Sequence, residues 1–152
     1  MCVMSVIRCN ERLAKVKTLT DEQIISFQPC PVETAATAAK LFESFAPVNS
    51  RKPGFLDYAV KEGLCVCEQI SFNDAPAFVF WYHKTDDGGL WLNAVQSLHS
   101  EGVPFAAALV AVEKLRQREK AQYVRALTIR GDLTRILLAN GYKVDGVLLA
   151  KE

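Results

Sequence analysis

The run APAFVFWYHKT, residues 75–85, constrains the fold more than any other part of the chain. It is apolar or aromatic at almost every position through Tyr82, without the alternation of a strand that has one face in water. A strand built from it has to be covered on both faces. Turn signals bound it on each side, Asn73-Asp74 before and Asp86-Asp87-Gly88-Gly89 after, and these residue types reach the left-handed backbone region that tight hairpins use. Beyond the turns lie LCVCEQISF (64–72) and LWLNAVQSL (90–98). Three strands in close order predict an antiparallel meander with residues 75–85 in its middle, and covering such a meander on both sides takes helices.

The rest of the chain supplies them. VETAATAAKLFESFA, residues 32–46, is rich in strong helix formers, and Ala35, Ala39, Phe42 and Ala46 recur at helical spacing as one buried stripe. GFLDYAVKEG predicts a second, short helix with Pro53 at its start and Gly63 as its stop. PFAAALVAVEKLRQREKA (104–121) is a long amphipathic helix. Phe105, Ala108, Leu109, Val112 and Leu115 line its inner side, and Glu113, Lys114, Arg116, Gln117 and Lys120 face water. QIISFQPC reads as a strand ended by Pro29-Cys30-Pro31, YVRALTIR (123–130) as a strand, GDLTRILLANGY as a short helix ending at Gly141, and KVDGVLLAKE as a final strand. The order β-α-α-β-β-β-α-β-α-β predicts an α/β fold of the mixed (α+β) kind. An antiparallel meander feeds a parallel β-α-β crossover in one mixed central sheet, with helices on both faces. Residues 1–22 are predicted as an N-terminal extension of unassigned structure and residues 23–152 as one domain, with no repeat, low-complexity tract or linker.

Composition narrows the classes of partner. Eighteen basic and 17 acidic side chains nearly cancel, so the basic footprint that draws in nucleic acid or an anionic membrane is missing. No apolar run reaches the roughly 20 residues of a membrane-spanning helix, and the start MCVMSVIRCNERLAK has no small-residue cleavage site of the secretory kind. Five cysteines, an odd number without framework spacing, predict reduced thiols and a cytoplasmic location. Cys65 and Cys67 alternate along one strand toward the same face. No Cys/His pair is spaced to complete a metal site with them, so both read as packing residues and no metal is expected.

Three segments carry a resemblance to a known family: IISFQPCPVETAATAAKLF, LWLNAVQSLHSEGVPFAAALVAVEKL and ILLANGYKVDGV. In order and spacing they resemble the GNAT N-acetyltransferase superfamily from Gln23 to the C-terminus. The resemblance implies that strands 90–98 and 123–130 part, that the pantetheine arm of acetyl-CoA lies in the gap, and that its pyrophosphate rests on the loop opening helix 104–121. Free N–H groups and the positive end of a helix dipole bind an anion there. The family motif is Arg or Gln, two residues, Gly, one residue, Gly or Ala. With Val95 as the family's valine, it falls on Ser100-Glu101-Gly102-Val103-Pro104-Phe105. Ser100 takes the lead place, and Val103 and Phe105 take the two glycine places, where their bulk crowds the phosphates. Pro104 lacks an N–H donor. Glu101 sets a like charge near the diphosphate, worth on the order of 1 kcal/mol of repulsion. The acyl-CoA positions implied are Ala94, Val95, Gln96, Ser100, Glu101, Gly102, Val103, Phe105, Ala106 and Arg130, in a degenerate version of the motif.

The catalytic positions depart as well. The family often uses a carboxylate on the strand corresponding to 90–98, where this chain offers Asn93 and Gln96. A tyrosine that commonly protonates the departing thiolate falls on Leu137, and an asparagine that often begins its helix falls on Arg130. His99, where strand 90–98 meets the loop, and Glu68, within reach of the groove through a water, remain as catalytic candidates. The simpler reading of Glu68 is a solvated strand residue, of His83 a surface or hairpin residue, of Trp81 and Trp91 core aromatics, and of Tyr142 packing. Arg116, Arg118, Lys120 and Arg125 read as a solvated face. Three functions follow from the resemblance. One is an acyl-CoA-dependent N-acyltransferase with a divergent cofactor loop and reduced or absent activity. Another is a non-catalytic GNAT-like interaction or assembly module, as in some bacterial-virus virion-associated proteins, with a protein partner or a homo-oligomer. The third is a sensor of some other small ligand in the same groove.

Overall fold

Both predicted hairpin turns form, each for a local reason. Asn73 and Asp74 have positive φ of 51° and 68°, the two-residue pattern whose twist matches that of the strands it joins. In the longer turn Gly88 has φ 88°, while the Thr85 hydroxyl accepts the Gly89 N–H at 3.0 Å. The computed structural model describes residues 2–10, 24–45, 53–98, 105–128 and 131–150. Its strands are β1 Cys2–Asn10, β2 Ile25–Pro29, β3 Val66–Phe72, β4 Ala75–Lys84, β5 Leu90–Ser97, β6 Tyr123–Thr128 and β7 Tyr142–Ala150. Its helices are α1 Val32–Phe45, α2 Phe55–Lys61, α3 Phe105–Arg118 and α4 Gly131–Ala139.

Among the described residues the strands make one seven-stranded sheet in the order β2-β3-β4-β5-β6-β1-β7. β2 through β5 pair antiparallel, and β5 pairs parallel with β6 after the α3 crossover. This is the mixed sheet read from the sequence, with one strand added. Residues 1–22, predicted as an extension of unassigned structure, contribute β1, which lies between β6 and β7 and is antiparallel to both. The β6-α4-β7 connection passes over one strand position, and the N-terminal strand fills that slot. It satisfies the ladder groups that β6 and β7 turn toward each other.

The sheet is packed on both faces. Phe78, Phe80 and Tyr82 of β4 and Leu90 and Leu92 of β5 meet Ala107, Ala108, Ala111, Val112 and Leu115 of α3 on one side. Val79, Trp81 and Ala94 meet Ala38 of α1 and Leu56 and Ala59 of α2 on the other. Alternate residues of β4 thus feed opposite cores, and Ala77 through Tyr82 are all buried, as the unbroken apolar run requires. Ala35, Ala39 and Phe42 are half-buried around the buried Ala38 of α1, and Ala46 lies outside the described residues. α2 ends at Gly63, whose φ of 70° lets Gly63 N–H reach Val60 O at 3.1 Å and Leu64 N–H reach Ala59 O at 2.8 Å. These two bonds satisfy the last carbonyls of the helix. Among the described residues no helix is long and apolar enough to cross a membrane.

Candidate functional site

The feature of interest is where β5 and β6 stop pairing. Their parallel register runs Leu90↔Val124, Trp91↔Arg125 and Leu92↔Ala126 and ends there, although β5 continues to Ser97 and β6 to Thr128. On the other side of β5 the pairing with β4 shifts at the same point. Tyr82 faces Leu92 and Trp81 faces Ala94, so Asn93 is the extra residue of a β-bulge. A bulge bends its strand and increases the local twist, which turns the second half of β5 away from β6. The result is a gap in the ladder between two parallel strands, the candidate cleft. One side of it is the edge of β5 at Ala94, Val95 and Gln96, without a ladder partner on β6 among the described residues.

The side chains at the cleft follow from the pleat. Ala94 is buried with Trp81, whereas Val95 packs toward the α3 face. Gln96 donates its side-chain N–H to Ser97 O at 2.9 Å. On the α1/α2 face His83, Trp91 and Asn93 are half-buried, and His83 Nδ1 lies 2.8 Å from Asn93 Oδ1. Arg125, across from Trp91, stacks over the Tyr123 ring at 4.5 Å and lies 3.7 Å from Asp87. Leu137, at the place implied for a tyrosine, is buried in α4, and Tyr142 packs in the core as expected.

Several predicted residues fall outside this view. His99, Ser100, Glu101, Gly102, Val103, Pro104 and Arg130 lie outside the described residues. Phe105 is the first residue of α3, and Ala106 is half-buried one place further on.

Glu68 is not the solvated strand residue expected. It is 8% exposed, on the α3 face, and both carboxylate oxygens are taken. Arg118 donates through Nη1 at 3.1 Å and through Nη2, and the Tyr82 hydroxyl donates to Oε1. Burial by itself raises the Glu68 carboxyl, but the hydrogen bonds from Arg118 and Tyr82 outweigh it and hold the group below the ordinary carboxylate range. The Tyr82 phenol is pushed up by burial and by that bond. A carboxylate so held is a poor proton acceptor, and this cluster sits at the last turn of α3. The helix rises roughly 20 Å between Phe105 and Arg118. Glu68 is therefore held as an anchor for α3, with both carboxylate oxygens already engaged.

Of the basic residues read as a solvated face, Lys120 is exposed, whereas the three arginines are engaged. Arg118 stacks over Phe27 of β2 at 4.9 Å, and Arg116 pairs with Glu113 and donates to Ala121 O at 2.8 Å. Cys30, Cys65 and Cys67 pack against the α1/α2 core, and burial raises the Cys67 thiol, so these sulfurs act as small hydrophobes. Among the described residues no three His, Cys, Asp or Glu side chains group to hold a metal.

No protein-family model matches the chain, and no curated protein sequence matches it. Solved structures do. The chain is similar to a functionally unknown conserved protein from Staphylococcus epidermidis, with a TM-score of 0.62 and 12% identity over 95% of this chain and 58% of that one. It is similar to a GCN5-related N-acetyltransferase from Kribbella flavida, with a TM-score of 0.59, 14% identity, and 97% and 56% of the two chains covered. A GCN5-related N-acetyltransferase from Sphaerobacter thermophilus gives 0.55 and 15% over 95% and 49%. The chain thus spans between 49% and 58% of the length of these three structures. At such identities the likeness is one of architecture, and it extends over nearly the whole of this chain: it has the GNAT acetyltransferase fold.

Proposed function

We propose that the chain holds an acyl-CoA thioester in the cleft between β5 and β6 and transfers its acyl group to an amine. The observation that carries this reading is the end of β5–β6 pairing at Leu92↔Ala126 beside the bulge at Asn93. An open strand edge is a template for pairing, and an extended arm bearing amides, such as pantetheine, suits the open edge of β5 at Ala94, Val95 and Gln96. The donor supplies an activated carbonyl, and those backbone N–H groups of this stretch that alternate away from the β4 ladder are the chain's means of polarising it. Ser100, Glu101, Gly102, Val103, Phe105, Ala106 and Arg130 are the positions for the diphosphate end. Their side chains make that end weak, so affinity on this reading rests on the cleft. A ligand at 100 times its dissociation constant stabilises a fold by about 2.7 kcal/mol. Melting the protein with millimolar acetyl-CoA, with free coenzyme A and with buffer alone tests the reading, and an unchanged midpoint removes it.

A second reading has its own support. Tyr58, Val60, Leu64 and Val66, on α2 and at the start of β3, are exposed apolar side chains, two of them at 55%. Of these, Leu64 and Val66 alternate along the chain as it enters β3, and exposed apolar side chains there are what a non-catalytic interaction or assembly module would use. Concentration-dependent light scattering distinguishes it, because a module of that kind associates with itself or with a protein partner.

A further inference from the structure

A strand that lacks a carboxylate leaves the proton acceptor to a neighbour. β5 carries no Asp, Glu or His between Leu90 and Ser97, yet β4 brings a histidine to the point where the cleft opens. His83 pairs directly with Trp91 and shares its face. Two residues on, the bulge places both Asn93 and Ala94 on that face, since Ala94 packs with Trp81 while the Asn93 side chain reaches His83. α1 and α2 cover this face at Val79, Trp81 and Ala94. His83 and Asn93 are only half-buried, so they stand where the helical cover thins.

The contact sets the tautomer. Asn93 Oδ1 only accepts, so His83 Nδ1 carries the proton and donates it across 2.8 Å. In the neutral ring the lone pair then belongs to Nε2, which has no hydrogen-bond partner among the described residues. Nearby charges are occupied elsewhere. Lys84 points to the other face, 3.4 Å from Glu119, and Arg125 is turned to Tyr123 and Asp87.

We infer that His83, its tautomer set by Asn93, is the general base for an amine acceptor at the mouth of the β5–β6 cleft, an inference that rests on the acyltransfer reading above. As the amine nitrogen bonds to the thioester carbonyl carbon, its proton passes to Nε2, the carbon–sulfur bond breaks, and the departing thiolate takes up the proton. Asn93 is a positioning residue that keeps Nε2 unprotonated and aimed. Both groups sit on sheet strands, so their geometry does not depend on a loop.

Two measurements test this. Nitrogen-resolved NMR of the His83 ring in the intact protein should show Nδ1 protonated and Nε2 bare, and Asn93→Ala should shift the ring toward the other tautomer. Nε2 protonated in the parent protein overturns the proposal whether or not any turnover is seen. Acetyl transfer from acetyl-CoA to a panel of primary amines is the second measurement. His83→Gln should lower kcat by about 10²- to 10⁴-fold, the usual contribution of a general base, while the coenzyme A dissociation constant stays close to the parent's. Imidazole should restore part of the rate to His83→Ala. Equal rates for His83→Gln and the parent, or a large loss in His99→Gln with none in His83→Gln, overturn the role of His83 and leave acyl transfer standing. A parent protein that binds no coenzyme A and transfers nothing overturns both, and the ring tautomer then still reports whether Asn93 orients His83.

Discussion

Glu68 and Arg118 stand fifty residues apart in the chain and meet through a two-pronged ion pair, with Arg118 Nη1 3.1 Å from one carboxylate oxygen and Nη2 on the other. The pair joins the last turn of α3 to β3, and Tyr82 completes it from β4. Arg118 also lies where a helix dipole favours a cation. This cluster fixes the C-terminal end of α3 against β3 and β4.

Removing Arg118 leaves a buried carboxylate without its counter-charge. Arg118→Met should cost on the order of 2 kcal/mol in urea unfolding. That is less than the loss of a fully buried pair, because the Arg118 side chain is 40% exposed and its field is partly screened. In the double variant with Glu68→Gln the cost should be much smaller than the sum of the single ones. Additive losses would mean that the two side chains do not interact in solution.

The same pair sets an acid limit. The native Glu68 carboxyl titrates below its ordinary value of 4.5, so the unfolded chain takes up that proton first. The stabilisation is therefore complete above pH 4.5 and is lost as the pH falls through the depressed native value. Unfolding free energy measured from about pH 6 to 3 should fall less steeply in Glu68→Gln than in the parent. Parallel curves would refute the assignment.

Gly89 is required by a neighbour rather than by its own backbone. A Cβ there would overlap the Tyr123 ring, which Asp87 and Arg125 hold in place. Gly89→Ala should destabilise by about 1–3 kcal/mol, and pairing it with Tyr123→Ala should recover part of the clash, as read by thermal unfolding. No recovery would show that the ring is not the obstacle.

The two sides of α3 should respond unequally. Leu115 is fully enclosed against Phe80 and Leu90, and Leu115→Ala should cost about 2–5 kcal/mol. Lys114, adjacent in sequence and exposed, should tolerate Ala within about 0.5 kcal/mol. Comparable losses at the two positions would mean that the helix is rotated from the orientation described.

Local chemistry was enough to locate the strands of the meander, the helices and their turns. Hairpin residues with positive φ, a run apolar at every position, and apolar spacing at 3.6 residues act over a few neighbours, and they read the same in the sequence as in the fold. Leu109, Val112 and Leu115 were legible as core on that ground, whereas the packing of Tyr142 was implied by the family resemblance. What the sequence left open depends on partners far along the chain. CVMSVIRCN has no adjacent turn and no clean alternation, and it becomes a strand because β6 and β7 leave a slot more than a hundred residues away. Glu68 looked solvated because a lone carboxylate on a strand usually is, and only the approach of Arg118 makes its burial affordable. His83 and Asn93 lie on different strands, and a one-residue bulge decides that they meet. Period and turn chemistry are properties of short segments, whereas a register shift, an ion pair across fifty residues and a strand's place in the sheet exist only once distant segments are packed together.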